Sequence, residues 1–143
     1  MPISEKDRQL LAILSDDART PVASIARALG LSRTTVQARI ERLEREGVIA
    51  GYGLRLSDAY EAGTVKAHVL ITIAPKTLGR VSAELAAISE VKTLHSVSGS
   101  FDLIAIVSAT SISELDDLID RIGQIAGVER TLSSIILSTR IQR

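Results

Sequence analysis

The stretch TPVASIARALGLSRTTVQARIERLEREG, residues 20 to 47, decides how the first third of this chain folds. Thr20 offers a hydroxyl that can cap a helix, Pro21 suits the first helical position, and Gly30 suits the residue that follows a last turn. These signals predict a helix from about Pro21 to Leu29.

A second, longer helix is expected directly after this one. Ser32 offers a new N-cap, and the run from Arg33 to Glu46 contains neither Gly nor Pro before Gly47 ends it. Both helices carry apolar residues at helical spacing, so each can bury the other. The order of helix, short turn and longer helix predicts a helix-turn-helix. The two apolar stripes consist of Ile25, Ala26 and Leu29, and of Val36, Ile40 and Leu43.

The polar face of the longer helix predicts contact with duplex DNA. Small and hydrogen-bonding residues lie in its first turns and arginines lie further along, which suits contact with base edges and then with phosphates. Taken alone, the face also fits an ordinary solvated helix, so the interpretation depends on the preceding helix, the turn and the apolar segment that follows. The candidate DNA-binding residues are Ser32, Arg33, Thr34, Thr35, Gln37, Ala38, Arg39 and Arg42.

Length and composition restrict the class of protein. The chain has 143 residues, which allow one or two small domains, and its 45% hydrophobic content is enough for a packed core. It has no apolar run long enough to cross a bilayer and no signal-peptide pattern, so we expect a cytoplasmic protein without a membrane partner. The absence of Cys fits that compartment and excludes disulfides and thiolate metal sites.

The charge balance bears on how DNA would be bound. The 17 basic and 17 acidic residues give a net charge of zero, so the whole chain has no field that attracts a polyanion. Because affinity from phosphate neutralisation grows with the number of contacts, one copy is expected to bind weakly and several copies to bind well. DNA binding therefore implies a multimer.

The segments on either side of the helix pair complete an N-terminal domain. A first helix is predicted because Ser4 and Asp7 resemble a capping box and Ile3 can staple its entry. The alternation in residues 51–56 predicts a strand, at the place where a winged helix-turn-helix has its wing, although it more resembles a connecting strand. The segment SDAYEAG, residues 57–63, breaks the apolar pattern and is the expected boundary between domains.

The second half of the chain repeats a strand-helix-strand pattern. This β-α-β-β-α-β order is that of the ferredoxin-like fold, an antiparallel sheet covered by helices on one side. The chain is therefore predicted to be α+β, with a helix-turn-helix domain (1–50), a connecting strand and linker (51–63) and a ferredoxin-like domain (64–143). The expected elements are Val65–Ala74, Leu78–Ile88, Val91–Ser98, Phe101–Ala109, Ile112–Ala126 and Val128–Leu137.

The uncovered face of this sheet predicts an interaction surface. Apolar residues occupy both faces of the first strand, so the open face is not strongly polar and we expect two copies to pair through it. Binding of RNA on the open face is the competing interpretation, but that mode stacks bases on exposed aromatic side chains. The three aromatic residues, Tyr52, Tyr60 and Phe101, form no such pair.

The motifs LEREGVIAGY (43–52) and VSGSFD (97–102) together resemble the Lrp/AsnC family of bacterial and archaeal transcriptional regulators. The resemblance covers nearly the whole chain and implies a winged helix-turn-helix domain with an ACT-like effector domain. It implies a homodimer that assembles into a higher oligomer such as an octamer, with an amino acid or similar small effector bound between dimers. By position, the effector site would comprise Ser98, Gly99, Ser100, Phe101, Asp102, Thr131 and Ser133.

The chemistry of that turn suits an amino acid, because N–H groups at a Gly turn can bind a carboxylate and Asp102 can bind an ammonium group. Without the resemblance, the same residues would be a plain hairpin turn. Family members often have an acidic residue where this chain has Ser100, which bears on the class of ligand.

Enzymatic activity and metal binding receive little support from the sequence. His68 and His95 lie in predicted strands without a third ligand, so they are expected to be ordinary strand residues. We expect no catalytic residues, metal or cofactor, since phosphate-loop and nucleophile-elbow motifs are absent. One alternative comes from family analogy, since some related proteins decarboxylate sirohaem. An intact recognition helix favours the regulator.

Overall fold

The computed structural model describes residues 2–143, which form two compact units, the first ending at Arg55 and the second beginning at Leu56. The first unit contains three helices, and the second contains a short helix, four strands and two longer helices. In chain order the elements are α1 (Glu5–Asp16), α2 (Val22–Leu29), α3 (Arg33–Arg45), α4 (Asp58–Glu61), β1 (Val65–Ile73), α5 (Leu78–Ala86), β2 (Val91–Ser96), β3 (Leu103–Ala109), α6 (Ile112–Gly123) and β4 (Val128–Ile135).

The predicted capping box of α1 is confirmed. The Asp7 N–H donates to Ser4 Oγ and the Ser4 N–H donates to Asp7 Oδ2, each at 3.1 Å. Ile3 packs against the same core as α1, as the staple predicts. The core of this unit consists of Leu10, Ile25, Ala26, Leu29, Val36 and Leu43, so the predicted stripes of α2 and α3 do bury each other, with Ile40 half-buried beside them.

The helix-turn-helix is confirmed, with one correction at its start. Gly30 ends α2 with a φ of 67°, a left-handed conformation that Gly adopts without strain. Ser32 caps α3 by accepting the N–H of Thr35 at 3.1 Å. The capping role predicted for Thr20 is wrong: Pro21 occupies the N-cap position, and the Thr20 hydroxyl donates to the carbonyl of Asp17 at 2.7 Å.

The strand predicted over residues 51–56 is also wrong. This segment has no regular secondary structure, and its side chains are exposed, Leu54 at 88% and Tyr52 at 54%. A strand requires hydrogen bonds to a neighbouring strand, and within the described residues 2–143 the sheet consists of β1 to β4 alone. Alternation shows that a segment can form a strand, but it does not supply the partner. The segment 57–63 contains the short helix α4, which Ser57 caps.

The second unit has the predicted ferredoxin-like topology. Its four strands lie in the order β2-β3-β1-β4, and each pair of neighbours is antiparallel. The side chains of Val69, Ile71, Ala105 and Val107 are buried against α5 and α6. Several elements are shorter than predicted. Phe101 and Asp102 lie before the start of β3, and α6 ends at Gly123.

The other face of the sheet is uncovered by the helices of this unit. Alternate residues of each strand point to it, and the cross-strand register places His95, Ile104, Leu70 and Leu132 in one row across the four strands. Leu70, Ile104 and Ile106 are half-buried, and Leu132 is 56% exposed. We call Leu70, Ile104, Ile106 and Leu132 the open apolar face.

Candidate nucleic-acid interface and effector site

The exposed side of α3 forms a ridge between two shallow grooves. Thr34 and Ala38 line both grooves, which places them at the crest of the ridge. The groove on the α1 side has a volume of about 720 Å³ and is also lined by Thr35, Arg39 and Arg42. The groove on the α2 side is also lined by Arg33 and Gln37. The predicted DNA-binding residues of α3 therefore lie on one continuous surface.

The first turn of α3 is held rigidly by its cap. The Ser32 hydroxyl accepts the Thr35 N–H and lies 2.8 Å from the Thr35 hydroxyl, so these two hydroxyls satisfy each other. Thr34, Arg33 and Gln37 are exposed, although the Gln37 amide donates to Glu41 at 3.2 Å. The side chains positioned to contact a ligand beyond the helix are therefore those of Arg33, Thr34 and Gln37.

Arg39 and Arg42 differ from the other predicted DNA-binding residues, because both form ion pairs with Asp7 of α1. Arg39 Nη1 lies 3.0 Å from Asp7 Oδ1, and Arg42 Nη2 lies 2.5 Å from Asp7 Oδ2. The Asp7 side chain is 1% exposed, whereas those of Arg39 and Arg42 are 28% and 35% exposed. The sequence marked Asp7 as a capping residue but did not indicate this second role.

These ion pairs determine the charge state of Asp7. Burial alone would raise the pKa of this carboxyl, but hydrogen bonds from Arg42, from the Ser4 backbone and from Arg39 together outweigh burial and hold the pKa well below its usual range. The pairing with Asp7 also raises the pKa of Arg42. Asp7 is therefore a carboxylate at neutral pH, and it offsets one of the two positive charges beside it.

The predicted effector residues of the second unit cluster around the turn between β2 and β3. Gly99 has a φ of 116°, and a Cβ at this position would meet nothing within 4 Å, so its backbone faces open space. Ser98 and Ser100 are exposed. Asp102 is half-buried, and its Oδ2 accepts the N–H of Ile73 at 2.9 Å. One carboxylate oxygen of Asp102 therefore has a structural role at the end of β1.

The residues predicted on β4 lie at different distances from this turn. Thr131 is opposite Ile71, whose carbonyl accepts the Asp102 N–H at 2.9 Å, so Thr131 is one strand away from Asp102. Ser133 is opposite Val69, one pair further along the same face, and is more remote from the turn. The turn, Asp102 and Thr131 therefore lie close together, and Ser133 lies further from them.

One residue of this region was not predicted from the sequence. The guanidinium of Arg130 lies 5.1 Å from the centre of the Phe101 ring, which is a cation–π contact. The contact joins β4 to the segment before β3, which are not neighbours in the sheet. The spacing of residues in the sequence does not predict this contact, because Phe101 and Arg130 are far apart in the chain.

The acidic and histidine side chains of residues 2–143 form no metal cluster. In this range no group of three or more His, Cys, Asp or Glu residues is arranged to hold a metal ion. His68 and His95 are both exposed strand residues. None of the helices over the same range has the length and apolar content needed to span a membrane.

Comparison with known proteins matches both halves of the chain. Residues 3–44 match the model of the AsnC-type helix-turn-helix domain, and residues 66–143 match the model of the Lrp/AsnC ligand binding domain. The HTH-type transcriptional regulator LrpA of Pyrococcus horikoshii is 35% identical over 94% of this chain and 96% of its own length. The regulator LrpA of Mycobacterium tuberculosis is 36% identical over 96% of this chain and 91% of its own length.

Solved structures give the same result. The structure of E. coli AsnC has a TM-score of 0.88 and 28% identity, and the match covers 100% of this chain and 97% of AsnC. The feast or famine regulatory protein from M. tuberculosis, complexed with L-methionine, has a TM-score of 0.89 and 35% identity, with 99% of this chain and 96% of that protein covered.

Proposed function

The chain belongs to the Lrp/AsnC family of transcriptional regulators, and on this premise we propose that it binds specific sites in duplex DNA under the control of an amino acid. The DNA would be contacted by α3, and the amino acid would bind at the turn that contains Gly99. Relatives are named transcriptional regulators, and no contact within residues 2–143 favours the sirohaem decarboxylase alternative.

The ridge on α3 is the observation that carries the DNA-binding part of this proposal. Its crest is made of Thr34 and Ala38, which are small enough to let the helix approach the floor of a major groove. Arg33 and Gln37 lie along one flank with side chains long enough to reach base edges or phosphates. A helix fixed by Ser32 at its first turn presents these groups without further ordering.

The open apolar face supports assembly into dimers. Leu132 is 56% exposed and stands in one row with Leu70 and Ile104, so pairing of two copies would remove this apolar surface from water. A dimer would present two copies of α3 to one duplex, and half-sites would be spaced by about 34 Å or a multiple of it. Assembly to a higher oligomer, such as an octamer, would add half-sites.

The turn between β2 and β3 supports the effector part of the proposal. The exposed backbone around Gly99 can bind an α-carboxylate, and Asp102 can bind an α-ammonium group through the oxygen that does not bond to Ile73. Thr131 lies one strand away and can contribute a hydroxyl. The relative complexed with L-methionine supports an amino acid as the ligand class.

An effector of this kind would act by its differential affinity for alternative assemblies. A ligand that binds every assembly equally well shifts no equilibrium, so the amino acid must favour one subunit arrangement over another. Effector binding would thereby change DNA binding, because the spacing between copies of α3 would determine which DNA sites can be bound.

The proposal is tested by selecting genomic fragments with the purified protein, with and without a panel of amino acids. We expect enrichment of a common sequence motif and a change of the enriched set with at least one amino acid. Replacement of Thr34 by Ala is expected to alter the preferred sequence, whereas replacement of the exposed Arg80 on α5 by Ala is the control and leaves it unchanged. Absence of any enriched fragment would refute DNA regulation by this chain.

A further inference from the structure

Asp7 links the start of α1 to the DNA-facing helix. Its Oδ1 accepts from Arg39 Nη1 at 3.0 Å, and its Oδ2 accepts from Arg42 Nη2 at 2.5 Å and from the Ser4 N–H at 3.1 Å. Arg39 Nη1 also donates to the Ser4 hydroxyl at 3.1 Å. Both guanidinium groups are thus held at fixed positions by a carboxylate that is itself fixed by the helix cap.

The two arginines are held beside the ridge and still face a groove. Their side chains are 28% and 35% exposed, and they line the groove on the α1 side together with Thr34 and Ala38. The Nε of Arg39 is buried without a hydrogen-bond partner among the described residues, so its guanidinium is held through one end only. A phosphate of a bound duplex would meet two cations whose combined charge is already partly neutralised.

The charge of this group matters for specificity. Attraction between arginines and phosphates is independent of sequence and makes up most of non-specific binding, whereas base-edge contacts provide discrimination. A buried carboxylate next to two arginines weakens their attraction to phosphates and leaves the base-edge contacts unchanged. It also prevents the long side chains from moving to whichever phosphate is nearest.

We propose that Asp7 is a positioning residue for DNA recognition, which fixes Arg39 and Arg42 and restrains their sequence-independent attraction to phosphate. The inference rests on the proposed DNA-binding function of α3. It predicts that the loss of the Asp7 charge increases non-specific binding and lowers the ratio of specific to non-specific affinity, while the contacts made by the ridge stay the same.

The test is Asp7→Asn, which keeps the size of the side chain and an oxygen that can accept a hydrogen bond. Binding is measured by fluorescence anisotropy over a range of salt concentrations, with a mixed-sequence duplex and with a duplex that carries the site selected by the unmodified protein. Each phosphate gained steepens the slope of log affinity against log salt by about 0.9, which corresponds to about eightfold tighter binding at about 0.1 M salt. For each copy of the protein bound to the mixed-sequence duplex, we expect the slope to steepen by about 0.9, the equivalent of one phosphate contact, and we expect a smaller change on the selected duplex.

The control is Glu5→Gln, which removes the same charge from an exposed position in the first turn of α1. We expect a change in slope well below that of Asp7→Asn, because the Glu5 side chain forms no ion pair with Arg39 or Arg42. A folded Asp7→Asn protein with an unchanged slope and affinity ratio would overturn the inference, and so would one that binds both duplexes more weakly. If the unmodified protein binds no duplex, the proposed function fails as well.

A second pair of variants keeps the inference testable if Asp7→Asn does not fold. Arg42→Gln removes a cation that is already paired, so we expect it to flatten the slope on the mixed-sequence duplex by less than half a unit. Arg33→Gln removes an exposed cation that forms no ion pair within residues 2–143, so we expect the slope to flatten by about 0.9. Equal effects of the two substitutions would contradict the inference.

Discussion

Gly127, which directly precedes β4, is the position where a single methyl group should be most harmful to the second unit. Its φ is 105°, and a Cβ built at this position lies 3.0 Å from Thr77 Cβ and 3.1 Å from both Thr77 Oγ1 and Val81 Cγ2. The Gly127 carbonyl also accepts the N–H of Ala74 at 2.7 Å, so the backbone cannot easily move away. Gly127→Ala therefore combines backbone strain with overpacking.

The expected cost follows from these two contributions. A non-Gly residue at this φ costs about 1–3 kcal/mol, and insertion of a methyl group into a filled site costs about 1–3 kcal/mol more. We expect a total of about 4 kcal/mol, the middle of the summed range, which corresponds to a decrease in Tm of roughly 16–32 °C for a unit of this size.

The matched control is Gly99→Ala. Gly99 has a φ of 116°, close to that of Gly127, but a Cβ at Gly99 meets nothing within 4 Å. This substitution should cost only the strain contribution of about 1–3 kcal/mol. The difference between the two variants isolates the contact with Thr77 and Val81.

The assay is urea unfolding followed by far-UV circular dichroism, with amide hydrogen exchange in β1 and β4 to assign the loss of stability to the second unit. If Gly127→Ala and Gly99→Ala lower the free energy of unfolding equally, the close approach to Thr77 has no energetic consequence and the reasoning is refuted.

Further predictions concern the ion pairs, the proposed effector site and the open apolar face. Asp7→Ala should destabilise the first unit by about 3 kcal/mol, while Asp16→Ala, at an exposed position at the end of the same helix, should change its stability by less than about 0.5 kcal/mol, as measured by thermal unfolding. Because the folded pKa of Asp7 is below its usual value of 3.8, its contribution is complete above that pH and is lost as the pH falls further, so acid should unfold the wild-type first unit with a stronger pH dependence than the Asp7→Ala variant. Asp102→Asn retains an oxygen that can accept the Ile73 N–H, so it should keep the Tm within about 2 °C yet lose the thermal shift caused by an amino acid. Leu132→Lys should reduce the mass measured by sedimentation without a change in circular dichroism, and an unchanged mass would contradict pairing through the open apolar face.

Local signals in the sequence were sufficient for most of the fold. Ser4, Gly30 and Ser32 act within four residues of their own positions, and such short-range caps can be identified from neighbouring residues. The topology of the second unit followed from the order of its periodic segments, because few arrangements of β-α-β-β-α-β are compatible with short connections.

The interactions that shape the candidate sites could not be predicted in this way. Asp7 is separated from Arg39 and Arg42 by 32 and 35 residues, and nothing in the spacing of these residues indicates which carboxylate will be buried. The same holds for Phe101 and Arg130, which are far apart in the chain and meet where the segment before β3 lies close to the start of β4. The strand wrongly predicted at residues 51–56 shows a related limit of local patterns. Apolar and polar residues do alternate there, but no neighbouring segment provides the partner strand that a sheet requires.

The two hydrophobic clusters of this chain have no residue in common. Substitutions in one cluster should therefore add to those in the other without energetic coupling. A helix-turn-helix unit that has its own core can be fused to a different ligand-binding domain, and the sheet domain can be fused to a different DNA-binding domain. Exchange of such domains would yield hybrid regulators, in which one parent protein determines the DNA site and the other determines the response to ligand.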